Sequence, residues 1–547
     1  MRLASGASVQ SSPTPADLVC DVLVIGTGSA GLTAALTAAA AGCRVIIAEK
    51  TALVGGTTAL SGAAAWVPAN HLAAAAGIAD SAEEAVAYIR AAAPPGWDET
   101  ESPLWRQFAE QAAPMLRFVE AHSPLRFALT AQADPHAALP GAKRRGRMVS
   151  PGVLPRRLAR PFTRQLRPPL FPHVYTYQEA MAGDLYHHPL RMAVRHAWPL
   201  LGRLLTGRRG KGTALVIGLL RGCLDHGCHL LLEAPCQRLL TDGKGAVVGA
   251  VLHQGDRDRT VVAHCGVILA SGGFEWDEAR REAHFPGPLG FIASPRGNSG
   301  DAHRMAEEAG AALAHMDQAN LAPAIPTRYE GRPHGLSVYF HQEPGAILVD
   351  AAARRFVDEL SFNLGETLDA RDAATGAPLH LPAWIIADSR MLRDAPVLRL
   401  YARRFGAGWM RQAASIAALA ALAGLPPLAL QDTVERWNAF CAAGEDADFG
   451  RPKGPPVGMR PITRSPFLAL PFNRSFMSTK GGPRTDAQGR VLRPDGRVIR
   501  GLFCAGVAMA NPIGTRAVGA GTTIGPNMVW GYICGLSASA EAGNVTQ

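Results

Sequence analysis

Three glycines spaced Gly26-x-Gly28-x-x-Gly31 and a carboxylate at Glu49 are the first residues of this 547-residue chain whose types and spacing could do chemistry. They lie in DVLVIGTGSAGLTAALTAAAAGCRVIIAE, residues 21–49, where a β-branched run over Val22 to Ile25 leads into an Ala-rich stretch and then a second apolar run ending on the acid. Gly26 allows a tight turn, Gly28 allows backbone approach to a pyrophosphate at a helix N-terminus opened by Ser29 and Ala30, and Gly31 allows close helix–strand packing. Glu49, followed by Lys50, would accept hydrogen bonds from ribose hydroxyls. The glycine pattern alone is weak, but strand, helix and acid all stand where a dinucleotide site needs them, and such a unit serves NAD and FAD alike.

A second glycine-rich stretch, MANPIGTRAVGAGTTIGP at 509–526, carries no carboxylate, histidine or cysteine. Such a loop brings backbone N–H groups close to something negatively charged or carbonyl-bearing. A third, VGGTTALSG at 54–62, follows the acidic strand end almost directly, and its small hydroxyl residues on glycine hinges suit a flavin lying flat against backbone.

The elements that position these residues belong to a large soluble protein. The length allows two to four domains, and 48% hydrophobic against 18% charged residues gives ample core. The net charge of +10 comes almost wholly from arginine, and no nucleic-acid partner is expected from so broad a bias. Nine cysteines without a CxxC pair read as reduced thiols of a cytoplasmic protein. The start of the chain lacks the apolar run of a secretion signal, no window reaches about eighteen apolar residues as a transmembrane span requires, and there is no CxxCH for a covalent haem. No metal ligand set is expected.

With the 51–66 segment in place, the chain resembles the flavoprotein superfamily of fumarate reductase, succinate dehydrogenase and the 3-ketosteroid dehydrogenases. Further segments agree in order: GVILASGGFEWDEARRE at 266–282, RGNSGDAHRMAEEAGA at 296–311, PGAILVDAAARRFVDE at 344–359, LPAWIIADSRM at 381–391 and the return at 478–510. The resemblance implies an α/β fold, an FAD-binding Rossmann-like βαβ domain with an inserted α+β substrate-binding capping domain. It divides the chain into 1–276 and 457–547 for the FAD domain and 277–456 for the cap. It implies non-covalent FAD held by Gly26, Gly28, Ser29, Ala30, Gly31, Glu49, Lys50, Gly56, Thr57, Thr58, Ser61, Gly62, Gly272, Gly273, Asn298, Gly300, Asp301 and Gly506. Gly521, Thr522, Thr523 and Ile524 would start the last helix, with its N-terminus toward the flavin, and a Gly521 N–H would also bind the substrate carbonyl.

The chain departs from the ketosteroid Δ1-dehydrogenases at their three tyrosines, whose matching places hold Ala517, Phe362 beside Asn363, and the neighbourhood of His136. Arg516 stands near the arginine with which fumarate reductases bind a carboxylate. Desaturation beside a carbonyl needs polarisation of the oxygen, a base for the α-proton and a hydride acceptor facing the β-carbon. Tyr186, in HVYTYQEAMAGDLYHHP with Tyr175 and Tyr177, is the first choice for the base, with Tyr339 and His136 as further candidates.

The expected function is therefore FAD-dependent desaturation of a CH–CH bond adjacent to the carbonyl of a cyclic or steroid-like ketone, with a quinone or an electron-transfer protein as external acceptor. Reduction of an enone or unsaturated acid, as in fumarate reductases, is the enzymatic alternative, and an FAD-binding protein without turnover is the other. The basic, proline-broken stretch KRRGRMVSPGVLPRRLARPFTRQLRPPL at 143–170, continued by GRLLTGRRGKG at 202–212, is either solvated surface or a patch for an anionic membrane, an acidic protein or an acidic substrate.

Overall fold

The computed structural model describes residues 16–405, 408–452, 458–516 and 518–545. Strand β1 (Leu18–Ile25), helix α1 (Ser29–Ala40) and strand β2 (Val45–Ala48) form the βαβ unit that the glycine pattern requires. The two strands pair in parallel from Val22 opposite Val45 to Ile25 opposite Ala48. The strand His229–Leu231 extends the sheet beyond β2, and the long strand Arg257–Leu269 runs parallel to β1 on the other side, followed by Val498–Cys504. The sheet's central segments, 22–25, 45–48 and 267–269, are unbroken apolar runs because helices and loops bury both faces of a parallel sheet. A meander of Cys236–Thr241 and Val247–Gln254 and the antiparallel strand Arg490–Leu492 complete eight strands.

Helix α1 is buried almost all round because the closing helix, Ile524–Val545, packs across it. The approach is close: a Cβ on Gly531 would stand 2.3 Å from the Ala30 carbonyl oxygen, and one on Gly535 would stand 2.7 Å from that of Ala34. Glycine at these two places lets the helices meet backbone to backbone, which sets the N-terminus of the closing helix beside that of α1.

A second body carries an antiparallel sheet in the order Ile347–Val349, Trp384–Asp388, Phe467–Pro471, Arg411–Ala413. Alternating side chains feed two cores, with Leu348, Ile385 and Leu470 on one face and Ile347, Ile386 and Ala469 against Trp437 on the other. Strand Arg474–Thr479 lies between Leu289–Ile292 and Ala319–Ala322. Both 467–471 and 474–479 thus pair with strands from 289–413, past the division expected at 456, and the chain rejoins the large sheet only at Arg490. Sequence could not separate these strands from the return, because alternating apolar runs look alike wherever they pair. The RRF-x-DE turn is a buried charge network: Arg355 holds Glu359 at 2.9 Å and Asp446 at 3.0 Å.

A small sheet of Ala65–Trp66, Met148–Pro151 and Phe127–Leu129 packs into the same core as the large sheet. Its anchor is Arg147, buried, which meets Asp80 at 2.7 Å and Asp134 at 2.9 Å and lies 5.2 Å over the Trp66 ring. The Trp66 indole N–H also donates to Asp134 at 2.8 Å. Trp66 in turn receives the closing loop, its backbone N–H donating to the Gly521 carbonyl at 3.1 Å.

Candidate functional site

Two cavities meet at Thr57, Thr58, Val507 and Asn527. The first runs along the C-terminal ends of β1 and β2 and is lined by Gly26 to Ala30, Glu49, Lys50, Gly56, Gly272, Asn298, Asp301 and Gly506. The glycines there have different reasons. Gly26, at φ +112°, would put a Cβ 2.4 Å from the Ala270 carbonyl, and a Cβ on Gly31 would come within 2.1 Å of the Gly26 carbonyl. Protein packing therefore demands both. A Cβ on Gly28 would meet only the Thr58 hydroxyl, at 3.8 Å, so its small size serves the cavity instead. That cradle, at the N-terminus of α1 with its partial positive charge, fits a pyrophosphate.

Polar groups around the cradle are held in a connected set. The Thr58 hydroxyl accepts from the Ser29 N–H at 3.0 Å. Glu49 accepts from the hydroxyls of Thr27 at 2.5 Å and Thr51 at 2.9 Å, which orients its carboxylate along the wall. Lys50 bridges to Ser299 at 2.8 Å and Asp301 at 2.7 Å. Asn298 donates to Thr57 at 2.9 Å and to Glu275 at 2.7 Å, and Gly272 is glycine because a Cβ would stand 2.5 Å from the Asn298 amide oxygen. Glu275 is fully buried, and burial raises its pKa. Gly273 accepts the Gly300 N–H through its carbonyl at 3.1 Å, so both stand behind the wall.

The second cavity lies between the two bodies. Thr57, Thr58, Ser61, Gly62 and the closing loop from Gly519 to Ile524 form one side, and Asn320, Tyr339, His341, Phe362, Asn363 and Met477 the other. Gly521, at φ +86°, is pressed against the small sheet, where a Cβ would be 2.8 Å from the Ala64 carbonyl. The next residues begin the closing helix, with the Thr523 hydroxyl accepting from Asn320 at 3.3 Å. None of the described residues lining this cavity is Asp, Glu, Lys or Arg.

Sequence-derived candidates for the chemistry separate sharply here. Tyr339 opens onto the cavity, 53% exposed, while the protein around it and the neighbouring Tyr177 raise its phenol pKa. Tyr186 is not among the described lining residues: it packs against the core of the second body, and its buried hydroxyl has no hydrogen-bond partner there. Nothing in the sequence separates these tyrosines, because a His- and Tyr-rich stretch does not reveal which rings its fold turns outward. His136 sits behind Phe362, ring centroids 6.4 Å apart and edge to face, so the two places matching the family's tyrosines come together without hydroxyls. Arg516 stands 3.9 Å from Glu366, half-exposed, and is also absent from the described lining. Ala517 lies outside the described residues.

Sequence reasoning ranked Tyr177 below Tyr186 and missed further lining residues. Tyr177 touches Gly62 so closely that a Cβ there would stand 2.7 Å from its ring. His341 is fully buried and neutral, with burial and then Arg451 pushing its pKa down to about 3. Asn527 faces both cavities with its amide oxygen lacking a partner, as does the hydroxyl of Ser271 in the first and of Ser478 in the second. Unsatisfied polar atoms converging on one connected space are what a polar cofactor would satisfy. Only Asn527 carried a signal, being one helical turn after Thr523 on the closing helix.

The chain belongs to the family described as "FAD binding domain", whose profile matches residues 21–524, and FAD is its cofactor. It is 34% identical to "4-oxocyclohexanecarboxylate 2-dehydrogenase" of Sinomonas cyclohexanicum, over 95% of this chain and 93% of that protein. It is 32% identical to "3-oxosteroid 1-dehydrogenase" of Mycolicibacterium smegmatis, over 95% and 97%. Among solved structures, 3-ketosteroid Δ1-dehydrogenase from Sterolibacterium denitrificans, in complex with 1,4-androstadiene-3,17-dione, superposes with a TM-score of 0.85 at 29% identity, covering 95% of this chain and 99% of that one.

Proposed function

We propose that this protein is an FAD-dependent dehydrogenase that removes two hydrogens from a CH–CH bond next to the carbonyl of a cyclic or steroid-like ketone. The observation that carries this reading is the second cavity, joined to the dinucleotide cleft and lined by two tyrosines and a glycine loop, with no charged side chain among its described lining. Fumarate-type reduction would set an arginine against the substrate carboxylate, and Arg516 stands beside Glu366 at 3.9 Å, outside the described lining. This favours a ketone over the unsaturated acid of the reductase alternative. Relatives named for 4-oxocyclohexanecarboxylate and 3-oxosteroid substrates support the same bond position.

On this reading the body built over 289–479 is the substrate cap, and the FAD-binding residues are those lining the first cavity. Bound FAD supplies the hydride acceptor. The Gly521 N–H, at the start of the closing helix, polarises the ketone oxygen, with the helix N-terminus stabilising the charge that develops. Tyr339, deprotonated, takes the α-proton, with Tyr177 beside it on the cavity wall. Phe362, Leu321 and Met477 exclude water from the reacting carbons. An external quinone or electron-transfer protein reoxidises the cofactor, and the setting is the cytoplasm, where nine free thiols persist.

The test is anaerobic titration of the yellow holoprotein with cyclic and steroid ketones. Bleaching of the flavin by a saturated ketone, with appearance of the enone, is the expected result. No bleaching by any ketone, together with reoxidation of dithionite-reduced protein by an unsaturated acid, refutes the proposal in favour of the reductase.

A further inference from the structure

Between Asp184 and Asp225 the sequence contains no acidic residue, yet it holds Arg191, Arg195, Arg203, Arg208 and Arg209. Two helices occupy part of it, Pro189–Arg195 and Ala197–Thr206, with a break in backbone geometry at His196. Their inner side chains, Met192 and Leu200, join a small cluster with Tyr175 and Ala180. Their outer side chains are apolar and bare: Leu190 is 81% exposed, Val194 78%, Trp198 83% and Leu205 79%. Spacings of four within the first helix and seven within the second set Leu190 beside Val194 and Trp198 beside Leu205, one bare face on each helix.

Scattered exposed leucines are ordinary, but two consecutive helices each with so bare an apolar face are not. Arg191, Arg195 and Arg208 are exposed around them, and Arg203 alone of these is committed to an acid, Glu179, at 2.7 Å. An apolar face with a tryptophan, flanked by arginines and free of carboxylates, has the chemistry of a helix lying in the headgroup boundary of an anionic bilayer. No helix among the described residues is long and apolar enough to cross a membrane, so contact would be with one leaflet.

We propose that the helix pair 189–206 docks this protein onto the surface of a membrane containing anionic phospholipids. Charge decides against a second copy of the chain as occupant, because two such arginine-rimmed faces repel each other. The docked face also connects to the proposed active site: the same small cluster carries the helix Tyr177–Ala182, whose first residue lines the second cavity. Docking therefore sets that wall of the cavity near the lipid, where apolar ketones and quinones partition.

The experiment is co-sedimentation of the full-length holoprotein with vesicles of phosphatidylcholine alone or mixed with phosphatidylglycerol. Binding to the mixed vesicles, weakened by salt and at least tenfold lower for Trp198→Glu/Leu205→Glu and for Arg191→Glu/Arg195→Glu, is expected. Leu428→Glu, at a site 76% exposed on a different helix, should bind like the parent. All variants alter exposed side chains, and an unchanged flavin spectrum and melting temperature confirm folding. The inference is overturned if the parent fails to sediment with anionic vesicles, if the helix-pair variants sediment undiminished, or if sedimentation equilibrium shows a parent dimer that the helix-pair variants dissolve.

Discussion

Substituting Gly28→Ala separates the role of the cradle from that of the fold. The new Cβ meets nothing of the protein closer than the Thr58 hydroxyl at 3.8 Å, and Gly28 has φ −69° and ψ 178°, which alanine adopts freely. Alanine is a poorer N-cap than glycine by less than about 1 kcal/mol, and it restricts the unfolded chain by a similar amount in the opposite sense. The flavin-free protein should therefore melt where the parent does. The methyl group, however, occupies the space in which a phosphate would meet the α1 N-terminus. Losing one charge-assisted hydrogen bond there costs about 1.5–3 kcal/mol, which weakens FAD roughly 10- to 150-fold. Gly31→Ala is the contrast: its Cβ would stand 2.1 Å from the Gly26 carbonyl and must push α1 off β1, costing about 1–3 kcal/mol of stability. Flavin fluorescence titration gives the affinity, and differential scanning calorimetry of the apoprotein gives the melting point. Parent-like FAD affinity in Gly28→Ala, or an apoprotein destabilised as much as Gly31→Ala, would refute the assignment.

Further perturbations test the rest. Tyr339→Phe should slow anaerobic flavin reduction by a saturated ketone about 10²–10⁴-fold with FAD affinity unchanged, and in the parent that rate should climb with pH through and beyond neutrality, since a raised phenol pKa leaves the phenolate scarce at pH 7. Tyr186→Phe should leave the rate untouched and leave stability equal or better, because it deletes a buried hydroxyl without a partner; a large rate loss in stopped-flow would return Tyr186 to the mechanism. Arg147→Ala leaves Asp80 and Asp134 buried without their cation and should lower stability by about 3–5 kcal/mol in urea unfolding. Lys480 is fully buried on the Gly514 carbonyl at 2.6 Å, and burial lowers its pKa from 10.5 to about 8. The unfolded chain then binds the extra proton between those values, so this group's contribution to stability rises with pH from about 8 to 10.5, by on the order of 3 kcal/mol; Lys480→Met should abolish that slope in denaturation curves taken across the range.

The sequence by itself determined the dinucleotide unit, since its requirements are local: a turn that needs Gly26, a helix start that leaves room at Gly28, and an acid one strand later. It also determined the order of segments that recurs across the family, and with it FAD. Which strands after 456 belong to which body was not written locally, because Phe467–Pro471 and Arg474–Thr479 have apolar patterns that satisfy either sheet until their partners are known. Nor was the choice among tyrosines. Tyr177, Tyr186 and Tyr339 are chemically equal in one dimension, and only the packing of the second body turns Tyr186 into its core while leaving Tyr339 on the cavity. Backbone conformation follows from a few neighbouring residues, whereas the direction a ring faces is set by everything packed around it, and that is settled only when distant segments have met.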